Sequence, residues 1–167
     1  LNLLSAALGP LCANDLLALT DPGAGLDSWL LGESLKPLAR FVIQNEMAYV
    51  FAHPRLPEYF WSKLTGPERN GLEKRFLDWG RQVLADLSEG QLSPHNVPPY
   101  LIRYFRAHLE RAKVSLAEWR PLVETPIWSQ AWEALEGGFG GYLGDVQAVW
   151  KHAKAENHCA TEHNAVA

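Results

Sequence analysis

The stretch Phe41 to Phe60, FVIQNEMAYVFAHPRLPEYF, constrains the fold more than any other part of the chain. Its apolar residues alternate through Phe41, Ile43, Tyr49 and Phe51, the period of a two-stranded hairpin, with a turn at Gln44-Asn45-Glu46. At His53-Pro54 the period changes, and Leu56, Tyr59, Phe60 and Leu64 follow at helical spacing. The pattern predicts a strand pair feeding a helix whose first position is Pro54. His53 sits at that junction, where an imidazole can face either a core or a ligand.

Before the hairpin the chain reads as three short helices. Leu1 to Leu8 is apolar and stopped by Gly9-Pro10. In LCANDLLALT, Asn14 and Asp15 are candidate caps for a helix through Leu16, Leu17 and Leu19, which ends before the Asp21-Pro22-Gly23 turn. In LDSWLLGESLKPL, Asp27 or Ser28 is the cap, and Trp29, Leu30, Leu31 and Leu35 form the apolar face. Three helices and then a hairpin is the order of a winged-helix domain, with the hairpin turn as wing tip. That fold often binds DNA. Here the helix that would read the groove offers Lys36 as its basic residue, against Asp27 and Glu33. The whole chain carries 15 Lys and Arg among 19 Asp and Glu, a net charge of −4 without the clustered cations that phosphate contacts require.

After Pro57 the pattern is helical throughout. Thr65-Gly66-Pro67-Glu68 separates the helix after His53 from a long amphipathic one carrying Leu72, Phe76, Trp79, Val83, Leu84 and Leu87 and ending near Glu89-Gly90. The proline-bearing connector QLSPHNVPP, at about residues 90–99, is the clearest boundary in the sequence. Beyond it, Tyr100 to Ala112, Leu116 to Val123, Ile127 to Leu135 and Tyr142 to Lys154 alternate like stacked helical pairs, with glycines 137, 138, 140 and 141 as a tight connector. The tail ENHCATEHNAVA has no apolar face and is expected to fray. The expected fold is mainly α: a winged-helix domain at 1–64, a helical linker region at 65–98, a solenoid-like helical region at 99–155, and a frayed tail at 156–167.

A hydrophobic fraction of 47% with seven Trp marks a globular chain, and two cysteines near opposite ends give no disulfide framework. A reducing cytoplasm is the expected compartment. No apolar run approaches the ~20 residues of a membrane span, and no signal-peptide pattern opens the chain. Leu1 already lies within an apolar helical pattern, so the chain is expected to be a piece of something larger. His152, His158, Cys159 and His163 are metal-capable but lack ordered four-ligand spacing. Asp78 and Asp145 stand beside no second carboxylate or histidine and read as solvated helix faces. Ser5, Ser62, Ser88 and Ser93 lack a nucleophile-elbow context. Trp79, Trp128, Trp132 and Trp150 fall at apolar helical positions and read as core anchors.

At Phe51-Ala52-His53-Pro54-Arg55-Leu56-Pro57-Glu58-Tyr59-Phe60 the residues resemble the winged-helix segment of STAND-class signalling NTPases, the class of NACHT and NB-ARC proteins. The opening LNLLSAALGPLCANDLLALT is similar to the start of their winged-helix domain. YLIRYFRAHLERA, a Trp-bearing helix and GGFGGYLGDVQAVW are similar to the superhelical region preceding WD-repeat sensors in bacterial and apoptosome-type members. The resemblance implies that His53 contacts the β-phosphate of ADP bound to a separate NTPase core, holding a closed state. It also implies that Arg55 and Glu58 belong to the interface with that core. The implied partners are the NTPase core and the C-terminal sensor repeats of the same polypeptide, with homo-oligomerisation on activation. The implied cofactors are ADP or ATP with Mg in the parent protein.

The chain holds no G-x-x-x-x-G-K-[ST] sequence and no acidic strand end suited to magnesium, so by itself it is expected to be a non-catalytic, regulatory module. An alternative is a stand-alone helical adaptor that presents a groove to a protein partner. His53 separates the two. An adaptor would bury it against the backbone, whereas a switch would leave it at the surface.

Overall fold

A computed structural model describes residues 1–21, 23, 25–45 and 48–164, with backbone alone for residues 45 and 157–164. The chain is mainly helical with a small sheet, and it divides into two compact units, Leu1–Trp79 and Gly80–Ala167.

The first unit runs α1 (Asn2–Ala6), β1 (Leu11–Cys12), α2 (Ala13–Ala18), α3 (Ser28–Leu35), β2 (Val42–Asn45), β3 (Ala48–Phe51) and α4 (Leu56–Lys63), followed by the start of α5 (Gly66–Ser88). Among the described residues the strands form one antiparallel sheet in the order β1-β3-β2. The cap of α2 is Cys12 rather than Asn14 or Asp15. Its Sγ accepts from the Asp15 N–H at 3.4 Å, and Asp15 Oδ2 accepts from the Cys12 N–H at 2.8 Å, a reciprocal capping box. Asp27 caps α3 as expected, its Oδ1 accepting from the Leu30 N–H at 2.7 Å. Thr65 and Glu68 open α5 in the same way, with Glu68 Oε2 taking the Thr65 N–H at 2.7 Å. At the other end of α2, Arg75 of α5 donates to the Leu19 carbonyl at 3.1 Å.

The hairpin forms where the alternation placed it, with Tyr49 and Phe51 of β3 on one face as expected but β2 one residue out of phase. Val42 pairs with Phe51 and Gln44 with Tyr49, whereas Ile43 pairs with Val50. Directly opposed residues share a face, so Val42 joins the buried Tyr49 while Ile43 is 46% exposed. Tyr49 also opposes Leu11 of β1, which is completely buried. The third strand therefore decides which face is core, and a period read from β2 and β3 alone cannot. Gln44 and Asn45 lie at the end of β2, and the third residue of the expected wing tip, Glu46, lies outside the described residues.

The second unit comprises the rest of α5, a 3-10 turn at Pro94–Asn96, α6 (Pro99–Ala112), α7 (Leu116–Trp119), α8 (Pro121–Glu124), α9 (Pro126–Glu136) and α10 (Gly140–Asn164). Prolines open α6, α8 and α9, where the missing N–H has no intrahelical partner to lose. The α5 helix ends at Gly90, φ +73°, with Gly90 N–H bonding the Leu87 carbonyl and Gln91 N–H the Asp86 carbonyl, as in a Schellman motif. The 90–99 connector lies inside this unit, packed through its 3-10 turn against α9. The helical backbone of α10 continues to Asn164, through the segment expected to fray. None of the described helices is long and apolar enough to cross a membrane.

Trp119, Trp128, Phe105, Leu101, Leu109 and Leu122 form the heart of the second unit, each 0–1% exposed. Room for the larger rings comes from glycine. A Cβ at Gly80 would lie 2.0 Å from the Phe105 ring, and one at Gly141 would lie 2.0 Å from the Trp132 ring. Of the glycines expected to form a tight connector, Gly137 takes the left-handed conformation at φ +70° that ends α9, while Gly140 and Gly141 lie within α10. Trp150 departs from its expected place in the core and is 61% exposed.

An alanine in a helix interior ordinarily stabilises relative to glycine by about 1 kcal/mol. Gly80→Ala is expected to do the opposite, lowering stability by roughly 1–3 kcal/mol through overpacking against Phe105. Urea denaturation of the variant beside the parent chain reads the sign.

Candidate functional site

The β-ladder ends where Ala52 N–H bonds the Phe41 carbonyl at 2.8 Å, and the chain then turns through residues 52–55. The His53 carbonyl accepts from the Leu56 N–H at 3.0 Å, which seats the first turn of α4. Pro54 precedes that helix, and it is Pro57 that occupies its first turn, correcting the expected boundary. The reason is local: His53 and its two successors are spent closing the turn before helical bonds begin.

His53 is exposed. Its Nδ1 accepts from the Arg55 backbone N–H at 3.1 Å. A ring nitrogen that accepts carries no proton, so the neutral imidazole holds its hydrogen on Nε2. Nε2 has no partner among the described residues, and it is therefore a directed N–H donor available to an incoming acceptor. Beside it lies a recess of about 240 Å³ lined by Leu4, Leu8, Pro10, Tyr49, Phe51 and Pro57. The backbone contact expected of a structural histidine and the exposure expected of a contact residue thus occur together.

Arg55 and Glu58 flank the same turn, both exposed. Arg55 is the residue before the first helical position of α4, and Glu58 lies in its first turn, where a carboxylate complements the helix dipole. Behind them is an aromatic cluster. Phe60 stacks on Phe51 at 5.4 Å and 13°, and meets Phe41 edge-on at 6.0 Å and 86°. The Arg40 guanidinium lies 4.5 Å from the Phe41 ring centroid and the Lys63 ammonium 5.3 Å from that of Tyr59. The rings fix α4 to the hairpin, so the turn carrying His53 is braced on both sides.

Sequence reasoning missed the second unit's polar centre. Asp145, expected on a solvated helix face, is 2% exposed. Its Oδ2 accepts from Trp128 Nε1 at 2.9 Å and from Trp132 Nε1 at 2.8 Å, and its Oδ1 lies 3.7 Å from Arg106 Nη1. Burial pushes the Asp145 carboxyl above the usual carboxylate range, while the two indole bonds and Arg106 pull the other way. The signal was present as two tryptophans four apart on one helix, since buried indole N–H groups need an acceptor. A one-dimensional reading had no means of choosing which acceptor. Asp78, by contrast, is exposed and pairs with Lys74, as a solvated face predicts. Ser62, Ser88 and Ser93 are exposed, and Ser88 Oγ donates to the Leu84 carbonyl at 2.8 Å, while Ser5 is buried in α1 with its Oγ donating to the Asn2 carbonyl at 2.8 Å.

Of the metal-capable residues in the last helix, His152 stacks on Trp119 at 4.1 Å. The side chains of His158, Cys159 and His163 lie outside those described. Among the described residues no three His, Cys, Asp or Glu side chains gather as a metal site would require. No family model, curated protein or solved structure matches the chain.

Asp145→Ala leaves two buried indole N–H groups without an acceptor and is expected to cost about 2–6 kcal/mol by chemical denaturation, at ~1–3 kcal/mol for each orphaned donor. The carboxyl holds its proton to higher pH when folded than when unfolded. Its favourable contribution is therefore fully present below the unfolded value and lost as pH rises through the folded one. The stability of the parent relative to Asp145→Asn should fall as pH is raised across that window, and a difference that grows with pH would contradict the assignment.

Proposed function

We propose that this chain is the regulatory winged-helix and helical module of a STAND-type signalling ATPase, passing conformational change between an NTPase core and a C-terminal sensor. Two features of the first unit support the winged-helix reading. The elements run α1-β1-α2-α3-β2-β3, and the sheet order is β1-β3-β2, the arrangement of a winged helix with β2 and β3 as the wing. In the second unit the short helices α7 to α9 follow one another, each packed on the next, and the longer α10 packs on all three, which fits a superhelical continuation.

The observation that carries the switch reading is the state of His53. An exposed imidazole whose Nδ1 is occupied by a backbone N–H presents its proton on Nε2 without needing to be charged. A phosphate oxygen is a strong acceptor for such a donor. The residues present therefore fit a β-phosphate of ADP held by a separate core: His53 would donate the bond. Arg55 and Glu58, on the same exposed turn, would meet the core's surface around it. On exchange for ATP the module would move as a body and free surfaces for homo-oligomerisation. In this role the chain performs no catalysis and needs Mg only where the core holds nucleotide.

Recognition of DNA draws no support from α3. Lys36, which follows its last residue, pairs with Glu33, and the most exposed large apolar side chain of α3 is Trp29, at 69%. Phosphate contacts require cations on that face.

In the full-length polypeptide carrying this chain, His53→Ala is expected to speed ADP release and raise spontaneous assembly. A hydrogen bond to a charged group is worth roughly 1.5–3 kcal/mol, so retention should fall about 10- to 100-fold. Unchanged ADP retention in a variant with an unaltered melting profile would overturn the latch.

A further inference from the structure

A recess of about 680 Å³ opens in the first unit among α1, α2, α3 and α5, within the roughly 300–1,000 Å³ of small-molecule sites. Eight leucines line it and no aromatic side chain does. Leu4, Leu16 and Leu31 among them are buried, so its walls are enclosed protein and not the tips of exposed side chains.

The α5 wall carries the charged groups. Glu68, Gly71, Leu72 and Arg75 follow the three-, four- and seven-residue spacing of one helix face, which sets Glu68 and Arg75 roughly 10 Å apart along the axis at 1.5 Å per residue. Glu68 is already engaged, its Oε2 accepting from the N–H and the hydroxyl of Thr65, each at 2.7 Å. Arg75 is engaged through one nitrogen, Nη1 donating to the Leu19 carbonyl at 3.1 Å. That bond, to the residue that closes α2, holds the guanidinium at the recess and leaves Nε and Nη2 without a partner among the described residues. Asp78, one turn further along α5, pairs with Lys74, and Asp21 accepts from the Gly23 N–H.

An aliphatic recess with one available planar cation suits an aliphatic chain that ends in a single negative charge. The guanidinium fork matches the two oxygens of a carboxylate. A phosphate head group fits less well, because its second charge would meet no second cation on the walls and would be repelled by Glu68 two turns away.

We propose that this recess binds a medium-chain fatty carboxylate, its chain against Leu4, Leu16 and Leu31 and its head group on Arg75. The proposal rests on the first unit alone and holds whether or not His53 contacts a nucleotide.

Isothermal titration calorimetry of the chain with decanoate, below its micelle concentration, tests it beside 1-decanol and decylammonium, which carry the same chain on a neutral and a positive head. The expected result is saturable one-to-one binding of decanoate, with both controls at least about 10-fold weaker, the ratio that one charge-assisted hydrogen bond supplies. Arg75→Gln should abolish that preference and leave 1-decanol binding unchanged, which shows that the recess itself persists. Gly71→Leu sets a side chain on the α5 wall, where a Cβ meets nothing within 4 Å and no left-handed φ opposes it. It should weaken decanoate at least about 10-fold with helical circular dichroism unchanged. No saturable binding, tighter binding of decylammonium, or a decanoate affinity indifferent to either substitution would each overturn the proposal. Self-association of the chain that Gly71→Leu abolishes, without decanoate binding, would assign the recess to a second copy and overturn it as well.

Discussion

The second unit is organised around one buried carboxylate. Asp145 of α10 binds both indole N–H groups of α9 through a single oxygen and faces Arg106 of α6 with the other. Burying a charge is costly unless its lone pairs are met, and the raised carboxyl shows that burial outweighs those partners. What the arrangement provides is geometry. Two hydrogen bonds of 2.8–2.9 Å fix the rotation and depth of two tryptophans, and thereby the register of α9 on α10. That close approach is possible because Gly141 and Gly144 present no side chain toward Trp132 and Arg106. The same economy of volume recurs at Gly80 beneath Phe105. With the inner face of α10 anchored in this way, Leu143 and Trp150 are left on its exposed outer face.

The first unit depends on a different constraint, the pairing of β1 with β3. A two-stranded hairpin leaves its choice of faces weakly specified. Adding Leu11 opposite Tyr49 gives one face a buried neighbour and turns Ile43 outward. The turn that follows β3 is then braced by the Phe41, Phe51 and Phe60 rings. Within that frame His53 has one nitrogen committed to the Arg55 N–H, which determines where its proton resides. A histidine of this kind offers a donor at a fixed site.

The helices of this chain were legible because their signals are local. Asp27 before α3, Thr65 and Glu68 around the start of α5, Gly90 after its end and the prolines of α6 and α9 act within a few residues of themselves, and periodicity finds the stretches between them. The hairpin was legible for the same reason, whereas the sequence left open whether His53 at its end faces core or solvent. Asp145, Trp150 and the glycines of α10 were not. Hydropathy places Trp150 inside, yet it lies outside because Val149 and Asp145 already occupy the inward face of α10. Periodicity reads Asp145 as solvated, yet it is enclosed because tryptophans 13 and 17 residues away need an acceptor.

The sequence by itself determined a mainly helical chain with a hairpin near its first third, the places where helices start and stop, and a candidate histidine at a strand end. Caps, prolines and periods carry that information over a few residues, so no distant partner is needed to read it. Tertiary structure alone decided which face of the hairpin is core, that a carboxylate would be buried among tryptophans, and which apolar side chains of the last helix would remain outside. Each of these depends on residues far apart in sequence competing for the same buried volume and the same hydrogen bonds, and that competition is settled only when the elements pack.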